Sequence, residues 1–418
     1  MRRKIIKIDS EKEKKPSSRR PIAVDLFAGA GGFSLGIEQA GFEVAVAVES
    51  DPVHAAVYSY NFPQTQVLCR DVASLDAREI IQAVGGEIDL VFGGPPCQGF
   101  SSMGKRNPKD DRNSLVFAFC RLVKELQPRY FVIENVPGLN QGKHRQILRR
   151  LKHDLKDAGY KIREPVQILN AADFGVPQKR KRLFLLGWRY KENALFYPET
   201  EPKERVSVRD AIADLPNLDD LPQLLHTDEI EFRYKRNLSN YVKILRELIP
   251  DPDNFAHRRI WKRSLLTSSR RTQHQTQSRE RFHLTQPGEL EPISRLRKLD
   301  WNKCSHTLRA GTGIERGSFT SARPLHPEGD RVISVREAAR LHSFPDWFRL
   351  HATKWHGFRQ VGNAVPPLLA RALGAKIIIA LGIVPVVPKK KIALGELSLL
   401  RWNQKQAWSY WEKLSSGS

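Results

Sequence analysis

Between Pro21 and Trp188, short β-branched or apolar runs alternate with amphipathic stretches, and this alternation limits the possible folds more than any other feature of the chain. IAVDLF, VAVAVE, IDLVFGG, RYFVIE and RLFLLGW read as strands, because each is brief, apolar and followed by turn residues or a helical pattern. Strands separated by helices cannot close as tight hairpins. They assemble as a sheet with helices on both faces, the doubly wound, Rossmann-like α/β arrangement. After Arg189 the alternation fades, Pro, Asp and Arg become frequent, and no repeat of fixed period is visible before about Ser334. A second, smaller and irregular domain is expected there. From SVREAARL onward helical patterning returns, and GNAVPPLLARALGAKIIIAL reads as a loop feeding a helix.

A chain of 418 residues, 40% of them hydrophobic, can bury a sizeable core. Its 69 Lys and Arg against 46 Asp and Glu leave a net charge of +23, which points to a polyanion partner. A membrane surface would call for a strongly basic amphipathic helix or a long apolar span. The longest apolar run begins at Ile377 and is broken at Pro385, so no bilayer-crossing segment and no membrane partner are expected. The N-terminus MRRKIIKIDSEKEKKPSSRR lacks the apolar stretch of a signal peptide and reads as a basic arm, which places the chain in the cytoplasm, at the nucleoid if the source is bacterial. Cysteines stand at 69, 97, 120 and 304 with no CxxC pair, and no His pair has metal-ligand spacing. Neither a disulfide framework nor a metal site is expected. Cys69, Cys120 and Cys304 read as small buried hydrophobes.

The first strand runs into DLFAGAGGFSLG, placing Gly29, Gly31 and Gly32 where the chain turns into a helix. Such a turn either lets a ligand approach the backbone closely or simply needs positive φ. Glu49, twenty residues after Gly29 and at the end of the second strand, can hold the two hydroxyls of a ribose, and Asp71 can accept from an adenine amino group. Together they describe a nucleoside pocket. The next strand ends in GGPPCQGFS, at the sheet edge where ligand chemistry occurs in such folds. Cys97 there is either a nucleophile aimed by a rigid Pro-Pro approach or a side chain packed under a turn. IENVPG brings Glu134 to the same edge, and QKRKR brings Arg180 and Arg182. Their ordinary readings are an ion-pairing or helix-capping carboxylate and a solvated basic turn.

Taken together and in order, DLFAGAGG, Glu49, Asp71, GGPPCQGFS, IENV, QKRKR, REAARLHSFPD and QVGNAVPP resemble the cytosine-5 DNA methyltransferase family over roughly Pro21 to Lys376. Ala28 stands where cysteine is common and His342 where glutamine is common; neither departure is expected to affect the chemistry. The resemblance implies methyl transfer from S-adenosylmethionine, leaving S-adenosylhomocysteine, to carbon 5 of a flipped-out cytosine in a specific site of double-stranded DNA. It implies Cys97 as the covalent nucleophile, Glu134 as the proton partner of ring nitrogen 3, Arg182 on the base oxygen, and Arg180 steadying the catalytic loop. It gives the cofactor to Phe27, Gly29, Gly31, Glu49, Asp71, Pro95, Asn363 and Val365.

On this reading residues 1–20 are the basic arm, 21–188 the catalytic and cofactor-binding domain, and 189–333 the target-recognition domain. Residues 334–384 rejoin the catalytic domain, and 385–418 form a basic tail ending in a Trp-rich, helix-like segment. DNA contacts are expected from Gln98 and Ser101 in the loop after Cys97. They are also expected from Arg258, Arg259, Arg270 and Arg271 in a segment nearly free of acids, and from Thr307 and Leu308, which resemble the family's recognition pair. A monomer is expected, functionally paired with a restriction endonuclease. A transfer-RNA cytosine methyltransferase and a non-catalytic DNA-binding regulator are the rival readings. The large basic recognition region argues against the first, and the intact nucleophile, acid and cofactor pocket against the second.

Overall fold

The computed structural model describes residues 19–96, 113–200, 204–234, 237–312 and 323–416. Strands β1 (Ile22–Leu26), β2 (Glu43–Val48), β3 (Gln66–Leu68), β4 (Leu90–Gly93) and β5 (Tyr130–Asn135) pair in parallel in the order β3-β2-β1-β4-β5. Between them run helices α1 (Gly32–Gln39), α2 (Pro52–Asn61), α3 (Ala77–Val84) and α4 (Asn113–Leu126). Helix α5 (Arg145–Asp157) leads into β6 (Tyr160–Ile162), β7 (Gln167–Asn170), the short β8 (Gln178–Lys179) and the long β9 (Lys181–Arg189). β9 is antiparallel to β5, β6 and β7 and completes an eight-stranded sheet. Every run read as a strand is therefore a strand, and the one after QKRKR enters the sheet from the opposite direction.

Alternation along the strands explains the two layers. In β5, Tyr130 and Val132 face one core together with Ala23, Phe92, α1 and the C-terminal helices, while Phe131 and Ile133 face a second with Val24, Val91, Phe119 and Leu151. Period-two burial on both faces is what helices on each side of a sheet require.

Beyond β9 the elements are short: α6 (Val208–Ile212), β10 (Ile230–Glu231), α7 (Asn240–Leu245), β11 (Arg259–Ile260), β12 (Leu265–Leu266), α8 (Thr276–Leu284) and β13 (Ser305–His306). Among the described residues, the one cluster lying wholly in this region is Phe282, Leu325 and Val332 with Leu296 packed against it. Its remaining apolar side chains, such as Ile212, Leu266, Leu299 and Ile333, join a core shared with Leu35, Tyr58 and Phe62 of the sheet half.

The chain then forms α9 (Val335–Arg340), α10 (Lys354–Asn363) and α11 (Pro367–Leu381). α11 lies on α1 so closely that a Cβ at Gly36 would stand 2.3 Å from the Pro367 carbonyl oxygen. One expectation needs correcting. The stretch Lys354–Leu381 is long and apolar enough by composition to span a bilayer, with 61% of its apolar window buried inside the fold. It is divided at Ala364–Pro366, and α11 packs Leu369, Leu373 and Ile377 into the core under the sheet.

Neither end of the described chain hangs free. Arg19 pairs with Asp89 at 2.6 Å, and Arg20 donates to the carbonyls of Phe42, Phe255 and Val386. In the tail, β14 (Ile392–Ala393) pairs with β11, and α12 (Gln404–Ser416) buries Trp411, whose Nε1 donates to the Pro52 carbonyl at 3.0 Å. Cys120 is buried, whereas Cys69 and Cys304 are only partly so. Burial pushes the Cys69 and Cys120 thiols up to about 12, which makes both inert.

Candidate active site

Strand order reverses between β1 and β4, and the crevice above such a reversal is where doubly wound sheets bind ligands. The β1–α1 turn there is held in left-handed conformations, with φ of 68° at Phe27, 57° at Gly29 and 97° at Gly31. A Cβ at Gly31 would lie 2.4 Å from Phe62 Cε2, so only glycine fits. At Gly29 a Cβ would meet nothing within 4 Å, leaving open space above the turn. The Glu49 carboxylate spans the turn, accepting from Gly29 N–H at 2.7 Å and Asp51 N–H at 2.8 Å. Each oxygen keeps a lone pair for a hydroxyl donor. Burial raises the Glu49 pKa from the ordinary carboxylate value. Asp71 is exposed after β3, and its Oδ1 accepts from Ala73 N–H. Open space over a glycine turn, a ribose-competent carboxylate and a second acceptor beyond it fit a nucleoside cofactor.

Ala364 and Val365, next to Asn363, come to this turn from the far end of the chain. A Cβ at Gly32 would stand 2.8 Å from Ala364 Cβ and 2.9 Å from the Val365 carbonyl oxygen, so the bare Gly32 backbone is what lets the two segments touch. Val365 is buried and Asn363 exposed.

Beside the crevice, Pro95 is buried and its carbonyl accepts from Asn135 Nδ2 at 3.3 Å. Glu134, at the carboxyl end of β5, is 9% exposed and pairs with Arg182 Nε at 2.9 Å. A Cβ at Gly94 would be 2.8 Å from Glu134 Oε2, so the bare Gly94 backbone lets this carboxylate sit against the β4 exit. Burial raises the Glu134 pKa, with Arg182 and Arg180 opposing it. A carboxyl poised in this way can share a proton with a ring nitrogen. Cys97, Gln98 and Ser101 lie outside the described residues.

Arg180 is buried, donating Nη1 to the Leu308 carbonyl at 3.0 Å and Nη2 to the Gly362 carbonyl at 2.8 Å. It ties the QKRKR strand to the recognition region and to the end of α10. Gln178 does the same from β8: its Oε1 accepts from Leu308 N–H at 3.0 Å, and its Nε2 donates to the Leu341 carbonyl. Thr307 Oγ1 donates to the Lys179 carbonyl at 2.7 Å.

His342 is a junction that sequence reasoning missed. It is fully buried between Gln178 Nε2 and the Ala364 carbonyl, each 2.9 Å from a ring nitrogen. Burial first, then the charge of Arg180, pulls its pKa well below the ordinary value. The neutral ring accepts from Gln178 at Nδ1 and donates to Ala364 at Nε2. It was read as a neutral exchange for glutamine, and the only available signal was that both side chains pair a donor with an acceptor.

Two of the expected DNA contacts, Arg259 and Leu308, are corrected because their side chains are buried. Arg259 is 4% exposed and paired with Glu38 at 2.8 Å, under Trp347. Its neighbour Arg258 is exposed, but at the opposite edge of the sheet, where His257 bonds Glu43 at the start of β2. Leu308 is 4% exposed, and its backbone serves Gln178 and Arg180. For Arg259 the reason is that an acid-poor stretch of sequence finds its acids elsewhere in the chain. Arg271 reaches Asp219 at 3.4 Å, while Arg270 and Thr307 stay partly exposed.

A family model of the C-5 cytosine-specific DNA methylases matches residues 22–379. Over 384 residues, 91% of this chain and 90% of the relative, the sequence is 50% identical to the type II methyltransferase M.XorII of Xanthomonas oryzae pv. oryzae. It is 35% identical to the type II methyltransferase M1.HphI of Haemophilus parahaemolyticus over 371 residues, 85% of this chain and 86% of that one. Among solved structures, a DNA modification methyltransferase encoded within a prophage of E. coli superposes with a TM-score of 0.72 at 33% identity, covering 86% of this chain and 99% of that one.

Proposed function

The chain belongs to the C-5 cytosine-specific DNA methylases, and from that premise we propose how its residues carry out the reaction and which molecules they engage. It is a DNA cytosine-5 methyltransferase. S-adenosylmethionine supplies an electrophilic methyl group when bound. Phe27, the Gly29 and Gly31 turn, Glu49, Asp71 and Pro95 hold the cofactor from the sheet side, and Asn363 and Val365 close on it from the C-terminal side.

Carbon 5 of cytosine is too weak a nucleophile to take a methyl group unaided. The Cys97 thiolate adds to carbon 6, forming a carbon–sulfur bond and making the ring enamine-like. Glu134 shares its proton with ring nitrogen 3 as charge builds there, and Arg182 holds the base oxygen while keeping the carboxyl in place. Arg180 acts at one remove, fixing the strand that carries Arg182. After methyl transfer the carbon 5 proton leaves, the ring double bond re-forms and the Cys97 thiolate departs. The base must leave the stack to reach these groups, at a cost of a few kcal/mol.

Site choice belongs to residues 189–333, through Thr307 and neighbouring side chains on flanking bases, while cations such as Arg270 meet phosphates. The protein works as a monomer in the cytoplasm, at the nucleoid of a bacterial cell, beside a type II endonuclease of the same specificity. The observation that carries the reading is the buried Glu134–Arg182 pair against the Gly94 backbone, within a family match that spans the sheet. The test is to map methylated cytosines in DNA from cells expressing the protein and to challenge it with 5-fluorocytosine in the mapped site. Wild-type protein should be trapped covalently and Cys97→Ala should not. Turnover without a trappable adduct would overturn the mechanism.

A further inference from the structure

Many cations in and beside the 189–333 region are paired with acids, and against them one group that gathers in a single place stands out. Arg259 has Glu38, Arg271 and Arg279 share Asp219, Arg281 has Glu291, and Lys262 has Glu231. Arg270, Arg323 and Lys354 converge on one short segment and, among the described residues, reach no carboxylate at ion-pair distance. Lys354 Nζ donates to the Arg271 carbonyl at 3.0 Å, and Arg323 Nη1 donates to Thr272 Oγ1 at 3.1 Å. Arg270 Nε donates to the Leu225 carbonyl at 3.3 Å. All three side chains are partly exposed, and the buried Nε of Arg323 has no hydrogen-bond partner.

The cations repel one another. Burial, then Arg323 and Arg270, bring the Lys354 ammonium down to about 8. His274 beside them is brought to about 4 by burial, then by Arg323 and Lys354. An arriving anion would relieve this repulsion. The position in the fold says which anion. Lys354 opens α10, and the next residue, Trp355, donates Nε1 to the Thr312 carbonyl at 3.1 Å, so this end abuts the loop that follows Thr307 and Leu308. The other end carries Gly362, bonded by Arg180, and Asn363 at the cofactor turn. Ten residues of helix span about 15 Å. The cluster therefore lies one helix length from the Gly362 end of α10, on the side of the recognition loop.

We propose that Arg270, Arg323 and Lys354 form a seat for one backbone phosphate of the duplex flanking the target cytosine. The seat rests on the reading of the chain as a DNA methyltransferase. It carries no base information and sets the register of the recognition loop on the DNA.

The experiment measures duplex affinity against salt for wild type, Lys354→Gln, Arg323→Gln, the double variant and Lys354→Arg. Losing one neutralised phosphate should flatten the slope of log K against log salt by about 0.9 in the double variant. Lys354→Arg should restore most of what Lys354→Gln loses. KM for DNA should rise in the Gln variants while kcat at saturating DNA holds. A folded double variant with the wild-type slope would overturn the seat. Should the double variant fail to fold, neutral methylphosphonate is placed at each flanking phosphate in turn. One position must weaken wild type and leave Lys354→Gln no weaker than before; no such position also overturns the seat. The functional reading fails separately, if wild-type protein methylates no duplex at all.

Discussion

The sheet half and the region after Arg189 are held together by different physics. In the first, β1, β2, β4 and β5 bury alternate side chains on two apolar faces, and the polar groups that survive at the carboxyl edge, Glu49 and Glu134, line the crevice. In the second, short elements are joined by buried arginines. Arg340 reaches Asp346 and Asp214, Arg331 reaches Glu337, and Arg336 lies 3.8 Å from Asp346. At the carboxyl edge of the sheet a buried charge is therefore a candidate for chemistry, whereas Glu38 and Asp89 in the same half, like the arginines of the second, are structural ties.

The largest expected effect tests the chemical side of this contrast. Glu134→Gln should lower turnover by about 10²- to 10⁴-fold while leaving cofactor affinity nearly intact, and Glu49→Ala should instead weaken cofactor binding. Single-turnover kinetics and cofactor titration measure both, and the same pattern from the two variants would dissolve the assignment. Gly94→Ala should lower turnover as Glu134→Gln does, because the added methyl would crowd Glu134 Oε2 at 2.8 Å. A fully active Gly94→Ala enzyme would show that the close approach is dispensable.

The structural side comes next. Asp346→Ala leaves Arg340 with only Asp214 and removes the acid beside Arg336 and Arg246, so it should destabilise the fold by about 3 to 5 kcal/mol in denaturant titration. Folded protein should still turn over. Inactivation without loss of stability would place Asp346 with the chemical residues.

A smaller effect follows from Glu337, whose carboxyl is lowered from 4.5 to about 2 by Arg331 and the Ser334 cap, against its own burial. Its folded pKa lies below the unfolded one. The stability it contributes is thus complete above about 4.5 and fades as pH falls toward 2. Thermal unfolding of Glu337→Gln should show a flatter pH dependence in that window; an unchanged slope would remove the Arg331–Glu337 pair from the acid response. The smallest effect expected is that of Arg258→Ala, which should alter stability by less than about 0.5 kcal/mol and leave the mapped methylation site unchanged. A shifted site would return the amino edge of the sheet to the recognition surface.

The strands of the sheet half could be read from the sequence because burial on alternate faces leaves a short-range periodic trace. The crevice residues were legible for a related reason: Phe27, Glu49, Glu134 and Arg182 sit at strand ends, so their spacing follows the strands. Arg180 was placed correctly on its strand, yet its partners at Leu308 and Gly362 are 128 and 182 residues away. His342 was passed over because its two partners, Gln178 and Ala364, belong to segments that nothing in the local sequence joins.

The sequence by itself determined the alternating sheet, the order of its motifs and a net charge that calls for a polyanion. The tertiary structure alone decided which cations remain for that polyanion. Arg259 and Arg270 look alike in an acid-poor stretch, but folding carries Glu38 to the first and, among the described residues, no carboxylate to the second. Charge pairing is a property of distance in space, and sequence neighbours do not reveal it when partners lie more than two hundred residues apart, as Arg259 and Glu38 do.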